Sequence, residues 1–257
     1  MACAERCGCC AAGGRPSSIL YSLLKSPAGV PAASGVPSAS GRARGCRCGW
    51  RGRAALRHPQ AAARAASAVL VKTVRFVRHV PCFQQLPLAE QLVLVRSGWA
   101  PLLVLGLAQD RVALDTVETA EPGLLHRLLT RRPPRRPPPP GAADIQAIQR
   151  FLAKCWSLGV GTKEYAYLKG TVLFNPDLPG LHCVEYIQGL QQEAQQALNE
   201  HVRLIHRGDQ TRFAKLNVAL SMLRSISASV IAELFFRPII GAVNMDDMLL
   251  EMLCAKL

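Results

Sequence analysis

The chain has 257 residues, and its 31 lysines and arginines outnumber its 17 acidic residues, giving a net charge of +14. This length allows one large domain and an appendage. The N-terminus has cysteines and glycines where a signal peptide would be apolar, and charged residues interrupt the longest apolar stretch, residues 86–108. The sequence therefore predicts neither secretion nor a membrane-spanning segment.

Residues 1–65 are rich in Gly, Ala, Ser, Pro and Arg. Because they have little apolar surface to offset chain entropy, we expect a disordered arm when this segment is alone. One apolar island in the arm carries an LxxLL motif, Leu20, Leu23 and Leu24, whose leucines share one face of a short helix. Such a helix fits an apolar groove on a partner protein. A second match, Leu125–Leu129, lies in the predicted domain, where we expect its leucines in the core.

The arm has two other candidate roles. Its cysteines include a C-x2-C pair and a C-x-C pair, which together match the number of ligands in a structural zinc site; the four are Cys7, Cys10, Cys46 and Cys48. Unligated thiols are the favoured interpretation, because C-x-C is a poor half-site, so no metal site is predicted. The arm's arginines can contact phosphate, but a solvated arm or a nuclear-import signal explains them better, and direct nucleic-acid binding stays open.

Helical periodicity begins near Ala66. A first helix has an apolar face formed by Leu70, Val74 and Val77 and should end before Pro81. A second helix, Leu88 to Gln109, is apolar nearly all round, which predicts a place in the middle of a layered structure. A short β-turn or hairpin (111–117), a helix (122–130) and an exposed proline-rich loop (131–141) follow.

Five further helical segments are predicted after this loop. They are 144–158, 163–173 with Thr162 as its cap, 184–205, one long helix from 213 that stops at Pro238 and Gly241, and a short last helix capped by Asn244. Residues 66–257 are therefore predicted to form one all-α domain. The four cysteines of this part, at 82, 155, 183 and 254, are expected to be reduced core thiols, which indicates a cytosolic or nuclear protein.

Catalytic motifs are absent from the sequence. It has no HExxH pair, no GxSxG elbow and no Walker or GxGxxG loop. We therefore predict a non-enzymatic protein without a cofactor.

Several segments resemble the ligand-binding domain of nuclear receptors. They are VPCFQQLPLAEQLVLVRSGW (80–99), LFNPD (173–177), RFAKL (212–216), LFFRPIIG (234–241) and MLLEML (248–253), and they occur in the family's order. The resemblance covers residues 66–257 and is closest to atypical orphan receptors that lack a DNA-binding module. It implies a three-layer helical sandwich.

The resemblance also implies roles for particular residues. Arg78 and Glu251 are expected to frame the family's groove for a partner helix, with Arg where members commonly have Lys. Glu164 and Arg212 are expected to form a partly buried ion pair. In the segment PCFQQLP, Phe83 and Leu86 either face a second docking groove or, with Phe83 in the core, belong to a loop.

The predicted function is that of a nuclear, and also cytoplasmic, transcriptional corepressor. The atypical orphan receptors use LxxLL-type motifs to occupy the coactivator groove of other nuclear receptors, and they recruit corepressor proteins; homodimers are also possible. The alternative is a ligand-regulated receptor that binds a lipid-like molecule. In that case bulky side chains such as Leu102, Leu103, Leu105, Leu107 and Phe151 decide whether a cavity exists. An adaptor that binds nucleic acid through the basic arm is a third possibility.

Overall fold

The computed structural model describes residues 53–119, 141–241 and 244–254. The LxxLL motif at residues 20–24, the arm's cysteines, the second LxxLL match and the helix and proline-rich loop predicted at 122–141 lie outside the described residues, apart from Gly141. The predicted boundary at Ala66 falls inside a helix that begins at Pro59.

The described part is built almost entirely of helices. These are α1 (Pro59–Arg78), α2 (Pro81–Gln84), α3 (Leu88–Gln109), α4 (Ala142–Leu158), α5 (Thr162–Leu173), α6 (Val184–Ile205), α7 (Arg212–Leu223), α8 (Ala228–Ile231), a π-helical segment (Ala232–Phe236), α9 (Arg237–Ile240) and α10 (Met245–Cys254). Two short strands, β1 (Arg53–Leu56) and β2 (Thr116–Thr119), pair antiparallel.

The helix α3 lies in the middle of the fold, as its apolar composition predicts. It packs against α1, α4, α5 and α10. Ten of its residues, at 98–100 and 102–108, are buried toward its C-terminal end. By length and composition alone, α3 could cross a membrane, and so could α7 taken together with the bent helices after it. In α3, however, 67% of the most apolar 18-residue stretch is buried within the domain. The prediction of a helical sandwich with α3 inside is confirmed.

Gly106 allows α1 to approach α3 closely. A Cβ atom at this position would lie 2.5 Å from Val69 Cγ1 and 3.2 Å from Thr73 Oγ1. A side chain at residue 106 would therefore push the two helices apart, because core packing leaves no spare volume.

Four local predictions were wrong. The segment at 111–117 is not a local hairpin, since β2 pairs with β1 before the first helix. Gly161, not Thr162, is the N-cap of α5, and the Glu164 carboxylate accepts a hydrogen bond from the Gly161 amide at 2.7 Å. The last helix before residue 241 ends at Gly241 as predicted, but Pro238 does not stop it, because Pro is tolerated in the first turn of α9.

The fourth error is the single long helix after residue 213, which is bent by 75° between α7 and the helices that follow. Serines occupy the bend, and the hydroxyl of Ser225 bonds to the Met222 carbonyl at 2.7 Å. Such side chains compete with the helical hydrogen bonds of the backbone, and Ser227 is extended at the N-cap of α8. The apolar stripe continues through the bend, which is why periodicity alone did not reveal it.

Candidate functional site

The end of α1, the short helix α2 and the helix α10 form a surface that we call the rim. Arg78 is the last residue of α1 and is half-buried, and Glu251 lies exposed on α10. The helix α10 packs against both α1 and α3. The two residues expected to frame the groove therefore lie on elements that are in contact.

The position of α10 follows from its sequence. Asn244 Oδ1 accepts a hydrogen bond from the Asp246 amide at 3.1 Å, which caps the helix as predicted. Leu249 and Leu253, four residues apart, are 1% and 8% exposed and fix the inner face of the helix. The acidic residues of α10 consequently face outward, Glu251 among them.

Phe83 and Leu86 are buried rather than exposed at the surface. Their side chains are 1% and 5% exposed and belong to the hydrophobic core. The turn that carries them is held by Gln91 Nε2, which donates to the Leu86 carbonyl at 2.9 Å. The alternative interpretation, a loop whose Phe83 anchors the core, describes their placement.

The helices α4, α5 and α7 meet at a point that we call the junction. At its centre Arg212 donates from Nε and Nη2 to the two carboxylate oxygens of Glu164, at 2.6 and 2.7 Å. Arg212 also donates to the carbonyls of Leu158 and Gly159, which end α4. The structure thus contains the ion pair expected from the sequence, and one guanidinium ties three helices together.

The charges of the junction are fully engaged. Glu164 is 1% exposed, and His206 Nε2 lies 3.6 Å from its Oε1. Burial alone would raise the pKa of Glu164, but the hydrogen bonds from Arg212 and from the Gly161 amide outweigh it and hold that pKa below its ordinary value. The junction therefore keeps Glu164 ionised, and this group is built for stability rather than for proton transfer.

Sequence reasoning missed a second buried carboxylate. Glu90, 2% exposed in the first turn of α3, accepts hydrogen bonds from the backbone amides of His182 and Cys183 and lies 3.1 Å from His182 Nδ1. Burial opposes ionisation, but these donors lower the pKa of Glu90. A lone acidic residue inside an apolar segment was the available signal, since a buried charge needs partners.

Side chains fill the space beneath Trp99, between α1 and α3. The five bulky side chains singled out in the sequence are all 0–1% exposed, namely Leu102, Leu103, Leu105, Leu107 and Phe151. The apolar cavity beneath Trp99 and between α1 and α3 measures about 10 Å³. A ligand needs a pocket of roughly 300–1,000 Å³, so this cavity is far too small for one.

The described residues contain no group of three or more metal-ligating side chains. Of the four cysteines in this part, Cys155 is buried, and burial raises its pKa to about 11. Cys254 is exposed, so the expectation that all four lie in the core was wrong for that residue.

The comparisons with known proteins agree with this fold. A family model described as the ligand-binding domain of nuclear hormone receptor matches residues 62–123 and 143–240. The chain therefore belongs to the nuclear hormone receptor family, whose members are transcription regulators.

Several relatives bear the same name, Nuclear receptor subfamily 0 group B member 1, an atypical orphan receptor. The Sus scrofa protein is 60% identical over an alignment of 227 residues that covers 80% of this chain and 48% of that protein. The Homo sapiens protein is 56% identical over an alignment of 224 residues that covers 79% of this chain and 48% of that protein. This chain spans about half the length of these relatives.

A solved structure, the Ultraspiracle ligand binding domain from Drosophila melanogaster, matches with a TM-score of 0.57 and 26% identity, covering 76% of this chain and 80% of that one. These findings confirm the resemblance and the fold class predicted from the sequence.

Proposed function

We propose that this protein is a nuclear corepressor that places the helix of Leu20, Leu23 and Leu24 in the coactivator groove of other nuclear receptors and recruits repressor proteins. Membership of a family of transcription regulators supports the general role. The observation that favours repression over ligand-controlled activation is the packed space between α1 and α3, where the apolar cavity beneath Trp99 measures about 10 Å³.

The physical chemistry of the motif supports docking. On a helix, Leu20, Leu23 and Leu24 share a face, whereas Tyr21 and Ser22 point away from it. Burying one leucine contributes about 1.5 to 3 kcal/mol. Two leucines therefore contribute about 3 kcal/mol or more, which corresponds to at least a hundredfold in affinity.

A competition experiment tests the proposal. A peptide covering residues 15–27 is titrated against the ligand-binding domain of another receptor that already holds a coactivator peptide. The parent peptide should displace the coactivator, and the variant with Leu23→Ala and Leu24→Ala should bind at least about a hundredfold more weakly. The matched control is Tyr21→Ala with Ser22→Ala, which leaves the leucine face intact.

The full chain is then tested with the same substitutions. Its ability to repress a receptor-driven reporter should follow the affinity of the peptides. If the double leucine variant competes and represses as well as the parent, this motif is not the contact, and the rim becomes the better candidate surface.

Further parts of the proposal concern place and partners. We expect the protein in the nucleus, where its family acts, and also in the cytoplasm. A rim that accepts a leucine-rich helix also allows a homodimer, in which one copy binds the motif of another. The molar mass of the full chain in solution, measured with and without the double leucine substitution, tests for this homodimer.

A further inference from the structure

A cleft opens between α1, the end of α3 and α5, and its volume is about 330 Å³. This is within the range of pockets that hold small molecules, roughly 300–1,000 Å³. Its apolar lining includes Val69, Phe76 and Ala166.

A buried ammonium group stands in this cleft. Lys169 is 8% exposed, and its Nζ donates to the neutral Gln109 Oε1 at 2.8 Å and lies 5.4 Å from the centre of the Phe76 ring. An ammonium has three protons to donate, and burying its charge is costly unless it is paired. Burial lowers the pKa of Lys169; the charge of Asp110 opposes this shift, and that of Lys72 adds to it.

The cleft's own carboxylate is already engaged. Asp110 lies 2.6 Å from Lys72 Nζ, and both residues line the cleft. The two lysines and one aspartate leave a surplus of one positive charge. Within the part of the chain that the structure describes, Lys169 forms no ion pair.

A second polar group in the wall of the cleft is unsatisfied. Thr73 is 3% exposed, and its hydroxyl is the one buried side-chain polar atom among the described residues that has no hydrogen-bond partner. By contrast Thr171, also buried in a helix, donates to the Tyr167 carbonyl at 3.0 Å. Buried polar groups without partners are rare in folded proteins, and an unfilled ligand site is one reason for them.

We propose that this cleft binds a small molecule with a carboxylate and a short apolar tail. The carboxylate accepts hydrogen bonds from Lys169 and balances the surplus charge, and the tail lies along Val69, Phe76 and Ala166. Gly106 and Thr73 both line the cleft where α1 and α3 approach closely, so the signals of their backbone amides can report on its occupancy.

Hexanoate is the test ligand. Hexanol, which has a six-carbon chain but no charge, is the control. Each is titrated into the full chain while the backbone amide signals of Thr73 and Gly106 are followed by NMR. Hexanoate should shift these signals in a saturable way and bind about tenfold or more tightly than hexanol, since the ion pair is available to the carboxylate alone.

Two variants probe the site by different means. Lys169→Met removes the charge at similar length, and Ala166→Leu fills the cleft without changing any charge. Each should weaken hexanoate binding by about tenfold or more. The matched control is Lys163→Met, an exposed lysine of the same helix, which should leave binding unchanged.

Circular dichroism establishes that each variant is folded, and if Lys169→Met is not, Ala166→Leu decides the matter. Equal binding of hexanoate and hexanol, no shift at Gly106, or undiminished binding by Ala166→Leu would overturn the proposal.

Discussion

The junction and the rim each combine a glutamate with an arginine, but they place them differently. At the junction Glu164 and Arg212 are 1% and 7% exposed and share two hydrogen bonds. At the rim Glu251 is exposed on α10, and Arg78 is half-buried at the end of a different helix. Charges taken out of water need partners within the fold, whereas exposed charges can serve a partner protein. The glutamate and the arginine of the junction thus hold the domain together, whereas at the rim the charge of Glu251 faces the solvent.

The largest effect is expected from Glu164→Ala. It leaves Arg212 buried without its carboxylate, which should lower the free energy of unfolding by about 3 to 5 kcal/mol. Urea denaturation of the full chain measures this. The matched control is Lys215→Met, which breaks an exposed pair with Asp209 and should change the midpoint little. Equal midpoints for the parent and Glu164→Ala would show that the junction does not support the fold.

Phe83→Ala should be nearly as destabilising, because removing a fully buried aromatic ring leaves a cavity and lowers the free energy of unfolding by about 3 to 5 kcal/mol. This variant tests where the rim ends and the core begins, since Phe83 follows Arg78 closely in sequence yet belongs to the core. The thermal midpoint and partner binding are measured together. If Phe83→Ala keeps its midpoint and loses only binding, the segment is a docking surface after all.

A smaller effect is expected from pH. Because the folded-state pKa of Glu164 is lowered by Arg212 despite burial, the ionised pair stabilises the protein at neutral pH. This stabilisation is lost as the pH falls below the pKa of an unfolded glutamate, about 4.3, toward the lower folded value. The stability difference between the parent and Glu164→Gln should therefore narrow on acidification below about pH 4. A difference that stays constant would place the stabilisation elsewhere; His206, close to the same carboxylate, is then the next residue to replace.

The sequence predicted much of the fold because periodicity reports burial directly. The bounds of α3 were predicted correctly from its apolar residues, and Leu70, Val74 and Val77 of α1 are all buried. The pairing of β1 with β2 was missed because it joins segments far apart in the chain, for which a local pattern carries no information. The hydrogen bonds to the Glu90 carboxylate were missed for the same reason, since their donors, the amides of His182 and Cys183, are distant in sequence.

The candidate site shows a different limit. The ion pair of Glu164 and Arg212 was predicted only from the resemblance to a family. A buried pair between two helices leaves no periodic signal in the sequence from which it could be predicted directly. The turn at Phe83 and Leu86 was ambiguous because an i, i+3 spacing describes an exposed apolar pair and a buried one equally well. Burial of both side chains is a property of the assembled core.

The smallest effect on stability, and the sharpest test of the rim, is expected from Glu251→Gln. Because Glu251 is exposed, the free energy of unfolding should change by no more than about 0.5 kcal/mol. A helix bound at the rim presents free amide groups at its N-terminus, where a nearby negative charge stabilises it. Removing that charge should weaken binding of a peptide covering residues 15–27 severalfold, since such contacts contribute about 0.3 to 1 kcal/mol. Asp247→Asn, also exposed and on the same helix, is the matched control and should leave the peptide's affinity unchanged. Equal losses for both variants would mean that the acidic helix attracts the peptide by overall charge, and raising the salt concentration would then remove the binding altogether.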